Sequence, residues 1–287
     1  MSAAQPPGNG THQLLVVIDP VARRTDGESV RIAKDVLSAG SDAKICLPDS
    51  PEEFARALSR RGSRRPVVVG DDRSLLRTVT LLHRERELTG AELSLVPVGA
   101  AAALELAHSL GVPLGAVAAA RAALDGAVRR LDLLVDDSDG VVLGALRIPA
   151  LAAVPGTAAH TGVTAVWDTC RSLVRTLVRP APSPTQPVPP RTHRLRVEAD
   201  GVLLNDLDRP VESVTVSAQG GGGGLADVVV RTTTGEPVAV EAKAVTVSGA
   251  DFRYRADMQV GGPVRTRTWT VRAGAWGLML PMAAESG

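Results

Sequence analysis

The stretch 66–78 (PVVVGDDRSLLRT) sets two carboxylates, an arginine and a hydroxyl between an apolar run and a helical pattern. Val67, Val68 and Val69 read as a short buried strand closed by Gly70, and Leu75, Leu76 and Val79 begin a helical spacing. A strand, a tight turn and a helix N-terminus in that order present backbone N–H groups to an anion such as a phosphate. Ser74 adds a hydroxyl and Arg73 a cationic fork, whereas Asp71 would repel a phosphate. Glycines usually line such loops, and here only Gly70 does. The same residues therefore also read as a solvated turn that caps a helix. If the turn needs positive φ at Asp71 or Arg73, a side chain there costs about 1 kcal/mol or more.

A second junction of this kind follows at Pro97-Val98-Gly99, where a strand over 92–96 gives way to an alanine-rich segment, 100–110. Ala100 cannot hydrogen-bond a ligand, so this junction offers only a helix N-terminus. His108 and His160 are isolated and read as surface or satisfied histidines. No Gly-x-Ser-x-Gly surrounds Ser74, which argues against a serine hydrolase.

The elements that position these residues alternate through the first 125 positions. Strands are expected over 13–18, 44–47, 66–70 and 92–96, and helices over 28–38, 51–61, 74–86, 100–110 and 114–125. A polar turn is expected at 22–27. Ser50, Pro51, Glu52 and Glu53 form a strong helix start, with a cap, a proline at the first position and acids in the first turn. This alternation describes a parallel sheet covered by helices, whose ligands bind at the carboxyl ends of the strands. Beyond residue 126 short strands dominate, at 131–135, 141–146, 195–199, 211–217, 227–232, 238–242, 244–247, 264–271 and 277–280. They read as an all-β sandwich. An amphipathic helix over 164–178, a proline-rich loop at 179–193 and five glycines at 220–224 interrupt it. The expected organisation is a disordered leader (1–12), an α/β domain (13–126) and a β-sandwich domain (127–287), with the last strand free to return to the first domain.

Composition narrows the function classes. The 287 residues carry 32 basic and 31 acidic side chains and few aromatics, which excludes the basic, aromatic-studded surface of a nucleic-acid binder. Lys34, Lys44 and Lys243 are the only lysines, so the arginine excess is compositional. Cys46 and Cys170 stand far apart without metal-ligand neighbours, as reduced thiols of a cytoplasmic protein would. No apolar run reaches the roughly 18 residues of a membrane span, and the polar N-terminus is no signal peptide.

Taken in order, the motifs resemble those of the diacylglycerol kinase-like lipid kinases, which relate to the NAD kinases. Asp19-Pro20 stands for the family's Asn-Pro after the first strand, and Gly70-Asp71-Asp72-Arg73-Ser74 for Gly-Gly-Asp-Gly-Thr. Pro97-Val98-Gly99-Ala100 through Leu110-Gly111-Val112-Pro113 is similar to the second loop, and Arg130-Leu131-Asp132-Leu133 to the strand opening the second domain. Gly223 to Asp227 resembles Asp-Gly-x-Leu-Asp, Asp257-Met258-Gln259 the Asp-Gly-Glu signature, and 271–281 the closing strand. The resemblance implies a two-domain lipid kinase fold, ATP and Mg²⁺ as cofactors, and nucleotide and lipid as partners, with transient contact at a membrane surface. It implies nucleotide contacts at Asp19, Gly70, Asp72, Arg73, Ser74, Gly99 and Ala100, a Mg²⁺-linked acid at Asp227, and catalytic positions at Asp257 and Gln259. Gln259 stands where the general base would be, and an amide cannot accept a proton at neutral pH. Three readings follow: a lipid kinase with altered loops, an inactive homologue serving as a nucleotide-, lipid- or protein-binding regulatory module, or an unrelated two-domain protein.

Overall fold

The computed structural model describes residues 13–150, 192–218 and 223–282. The expected leader, the helix over 164–178, nearly all of the proline-rich loop and most of the glycine run lie outside the described residues, as do Cys170 and His160. The first domain runs β1 (Gln13–Ile18), α1 (Pro20–Thr25), α2 (Gly27–Gly40), β2 (Asp42–Cys46), α3 (Pro51–Ser59), β3 (Arg65–Gly70), α4 (Asp72–Arg84), β4 (Glu92–Pro97), a 3₁₀ turn (Ala101–Ala103), α5 (Glu105–Ser109) and α6 (Ala116–Asp125). β2, β1, β3 and β4 pair in that order, all parallel.

Side-chain parity splits the two faces of these strands. Leu14, Val16, Ile18, Val67, Val69 and Val96 pack with Ala33 and Leu37 of α2 and Ala119, Ala120 and Ala123 of α6. Leu15, Val17, Val68, Leu93 and Leu95 pack on the other side with Phe54 of α3 and Leu75, Val79 and Leu82 of α4. Both faces are dry, which explains why the strands read as continuous apolar runs.

Two local expectations are corrected. Residues 20–25 form α1, not part of a polar turn, because the Asp19 carboxylate accepts the Val21 N–H at 2.7 Å and Pro20 sits at the first helical position. Asp26 then caps α2 by accepting the Ser29 N–H at 3.0 Å. The expected helix over 100–110 is broken at Leu104 (φ −123°, ψ 14°) into the 3₁₀ turn and α5. Its second half begins afresh where Asp72 reaches across to cap it.

The second domain comprises β5 (Ala127–Asp136), β6 (Val141–Val142), β7 (Ala145–Ile148), β8 (His193–Ala199), β9 (Val202–Asn205), β10 (Pro210–Ser217), β11 (Ala226–Thr232), β12 (Val238–Ala242), β13 (Ala244–Ala256) and β14 (Gln259–Leu280). β10 and β13 each pair with β7 at one end and with β8 at the other, so the layers expected of a sandwich join at both edges. Register shifts fall where the partners change, between Val211 and Ser213 and between Ser248 and Phe252. Bulges let one strand turn the corner between layers. The glycines at 249, 261 and 262 lie within long strands and end none of them. β9 was not expected; it folds back on β8 through Asp200 and Gly201, both at positive φ, as a two-residue hairpin turn requires.

β14 joins the two domains. Its start pairs with β13, its length with β5, and Gly277 and Leu278 pair parallel with Glu92 and Leu93 of β4. Trp276, fully buried, therefore shares a core with Leu75 and Leu106 of the first domain and Leu131 and Leu133 of the second. Trp276→Ala is expected to cost about 3–5 kcal/mol of unfolding free energy in urea, whereas Val260→Ala, on the exposed end of the same strand, should change it by less than about 0.5 kcal/mol.

Candidate functional site

The carboxyl ends of β1, β3 and β4 lie side by side, stitched by the Asp19 N–H to the Val69 carbonyl (2.9 Å) and the Val98 N–H to the Gly70 carbonyl (2.9 Å). Asp19, Gly70 and Gly99 meet there. Ser74, one turn into α4, brings its hydroxyl to 3.0 Å from Asp19 Oδ2 and 3.1 Å from Asp71 Oδ1, so two carboxylates share its one proton. Asp71 is the N-cap of α4, with extended backbone (φ −91°, ψ −177°), and its Oδ1 accepts the Ser74 N–H at 3.1 Å. The strain foreseen for a side chain at this position is absent. Arg77 closes the cluster, its Nη1 3.0 Å from Asp19 Oδ2 and its guanidinium 5.4 Å above the Phe54 ring.

Gly70 is required here by space. A Cβ on it would fall 2.6 Å from the Ser74 hydroxyl oxygen and 3.1 Å from the Asp19 Cβ. The volume that a phosphate cradle would leave open beside this glycine is filled by the chain's own side chains. Across the cleft Gly99 faces Asp71, whose Cβ lies 3.5 Å from the position a Gly99 Cβ would take. Ala100 is exposed and only begins the 3₁₀ turn, with no side-chain cap.

Two further carboxylates hold backbone. Asp72, buried, accepts the Leu106 N–H at 2.8 Å and the Ala107 N–H at 2.9 Å, capping α5 from another helix. Asp257, in the tight turn between β13 and β14 (φ 47°), accepts the N–H groups of Leu143, Gly144 and Ala145 at 2.8, 2.9 and 3.2 Å. Burial pushes the Asp72 carboxyl above the usual carboxylate range, its N–H partners pull it back, and the charges of Asp71 and Glu105 add to the rise. Burial also raises Asp257, against its three N–H partners and with the charge of Asp72.

Asp72, Asp257, Glu105, Ser109 and Arg255 line a cavity of about 350 Å³ between the domains. Met258 forms the wall between it and a neighbouring groove of about 390 Å³, lined by Gln259 with Arg73, Arg77 and Arg84 of α4. The structure thus gathers Asp19, Gly70, Arg73, Ser74, Gly99, Asp257 and Gln259 around the ends of β1, β3 and β4. Asp227 lies on β11, in register with Glu241 on one side and, on the other, with Ser217, which lines the cavity of Asp72 and Asp257. Arg77 and Arg84 were not anticipated from the sequence; their spacing from Arg73 along a helix is the signal that would have found them.

Among the described residues no three His, Cys, Asp or Glu side chains are grouped to hold a cation, and each carboxylate oxygen of Asp72 and Asp257 accepts a backbone N–H, which leaves these two acids to meet a cation only through their remaining lone pairs. At the loop, Asp71 occupies the Ser74 N–H and sets a carboxylate where a phosphate would approach it.

Comparison with known proteins separates sequence from shape. No protein-family model matches the chain, and no curated protein matches it. Solved structures do. A protein from Bacillus anthracis str. Sterne assigned as a diacylglycerol kinase superposes with a TM-score of 0.74 over 97% of this chain and 98% of its own, at 14% identity. The crystal structure of a diacylglycerol kinase from the same source gives 0.68 over 94% and 97%, at 13% identity. The fold is diacylglycerol kinase-like. Within that fold, the described residues contain no helix long and apolar enough to cross a membrane.

Two outcomes follow from the carboxylates of this cleft. Asp72→Ala leaves two buried N–H groups without an acceptor and should lower the unfolding free energy by about 2–4 kcal/mol in urea. The native state also binds the Asp257 proton more tightly than the unfolded chain, so this group adds stability below its raised pKa and loses it as pH rises through that value. The wild type should therefore gain stability relative to Asp257→Asn as pH falls from 7 toward the ordinary carboxylate range, read from paired urea titrations.

Proposed function

We propose that this chain is a diacylglycerol kinase-like protein that does not transfer phosphoryl groups and works as a small-molecule binding module. The observation that carries the reading is Gln259. It occupies the place of the proton acceptor in the resemblance, and its amide has no basicity at neutral pH. Phosphoryl transfer needs a phosphate cradle, a cation to neutralise charge and a group to take the acceptor's proton. Asp71 occupies the Ser74 N–H of the first and puts a negative charge beside it, and Gln259 lacks the third. What the cleft keeps is binding apparatus: the three arginines of α4 and two adjoining cavities.

Incubation with labelled ATP, Mg²⁺ and diacylglycerol in mixed micelles tests this. No labelled phospholipid should form, and Gln259→Glu should not restore turnover, because the cradle stays occupied by Asp71. Mg²⁺-dependent labelling of diacylglycerol by the unmodified protein overturns the reading.

A further inference from the structure

We infer that the groove between α4 and the β13–β14 turn binds a phosphomonoester, either free or as the headgroup of a lipid. The inference rests on the reading that Gln259 is not a base, and it names what the binding module takes.

Arg73, Arg77 and Arg84 fall on one face of α4, at spacings of four and seven residues. Arg73 and Arg77 start about 6 Å apart along the helix, a separation that lets two guanidinium forks close on one dianion. Arg77 is held in place by Asp19 and Phe54. Arg73 and Arg84 are exposed, and among the described residues their guanidinium groups have no ion-pair or hydrogen-bond partner. The cavity next door is lined by Asp72, Glu105 and Asp257 with a single arginine, Arg255, whereas no acid lines this groove. The balance of charge therefore differs between the two compartments, with Met258 as the partition.

Two departures from the kinase pattern point the same way. Arg73 stands where the resemblance has glycine, and Gln259 where it has glutamate, and both line this groove. One adds a cation; the other replaces a carboxylate that would repel phosphate with an amide that can donate to it. Leu76, Leu81 and Met258 supply an apolar floor beside the arginines for the organic part of the ester. A volume of about 390 Å³ admits a phosphate with a short organic group and excludes little beyond it.

Glycerol 3-phosphate is the soluble probe, followed by isothermal titration calorimetry, and phosphatidylcholine vesicles with or without phosphatidic acid are the lipid probe, followed by flotation. Arg73→Glu and Gln259→Glu should each weaken binding about tenfold or more, and Arg84→Glu should weaken it too. Arg121→Glu, on the exposed face of α6, is the control for bulk charge and should leave binding unchanged. Heat from glycerol 3-phosphate supports a free phosphomonoester; flotation that needs phosphatidic acid, without that heat, supports a lipid headgroup. Failure of both probes, or binding that survives Arg73→Glu unchanged, overturns the inference. The labelling assay on the same preparations is independent: turnover there would overturn the non-catalytic reading and leave these binding results standing.

Discussion

Strand β14 is the constraint on which the site depends. It pairs with β13 at its start, with β5 along its length and with β4 near its end, so one stretch of backbone fixes the second domain against the first. Gln259 begins that strand and Met258 precedes it in the turn, and the α4 arginines belong to the helix that follows β3, two strands away from it in the sheet. The groove between them is thus set by a hydrogen-bonded sheet rather than by a flexible linker. Trp276 and Leu278 seal the junction by entering the core that α4 and α5 also share.

Within this frame the acidic side chains act as architecture. Asp19, Asp71 and Asp72 each hold a backbone N–H at a helix start, and Asp257 holds three N–H groups ahead of and within β7. A carboxylate that accepts two or three such bonds is held in one orientation, and these acids fix the backbone on which the cleft is built. The arginines contrast with this. Only Arg77 is tied down, and it orients the face on which the other two remain available.

Much of this fold was legible in the sequence because both faces of β1, β3 and β4 are dry, which gives short unbroken apolar runs followed by helical spacing. The caps at Ser50 and the stop beyond Leu110 are local signals and were readable as such. Helix α1 was missed because Asp19-Pro20 is both a turn signal and a helix start, and only the Asp19–Val21 bond decides between them. β13 and β14 looked like shorter strands since Gly249, Gly261 and Gly262 mimic turn residues, although here they sit in bulged strands whose partners continue. In the site, the gathering of Asp19, Gly70 and Gly99 follows from parallel strand order. The partnership of Asp72 with Leu106 and Ala107 leaves no trace in a local window, because it spans 34 and 35 residues.

The way β10 and β13 close the second domain also bears on how copies of this protein meet. Long, straight strands are the most effective templates for pairing with another molecule. Among the described residues the two longest, β13 and β14, lie inside the strand order, with a second partner for β13 over Val245–Gly249 and Arg255–Ala256 and for β14 at Trp269–Thr270 and Gly277–Leu278. The strands left at the margins, β2, β6, β9 and β12, have five, two, four and five residues. β2 carries Asp42 and Lys44, and β12 carries Glu241. Those four strands offer a neighbouring molecule short, partly charged edges, whereas the part of β14 before Trp269 pairs on one side alone, with β13, and is the longer edge that bulges and arginines such as Arg265 and Arg267 must guard.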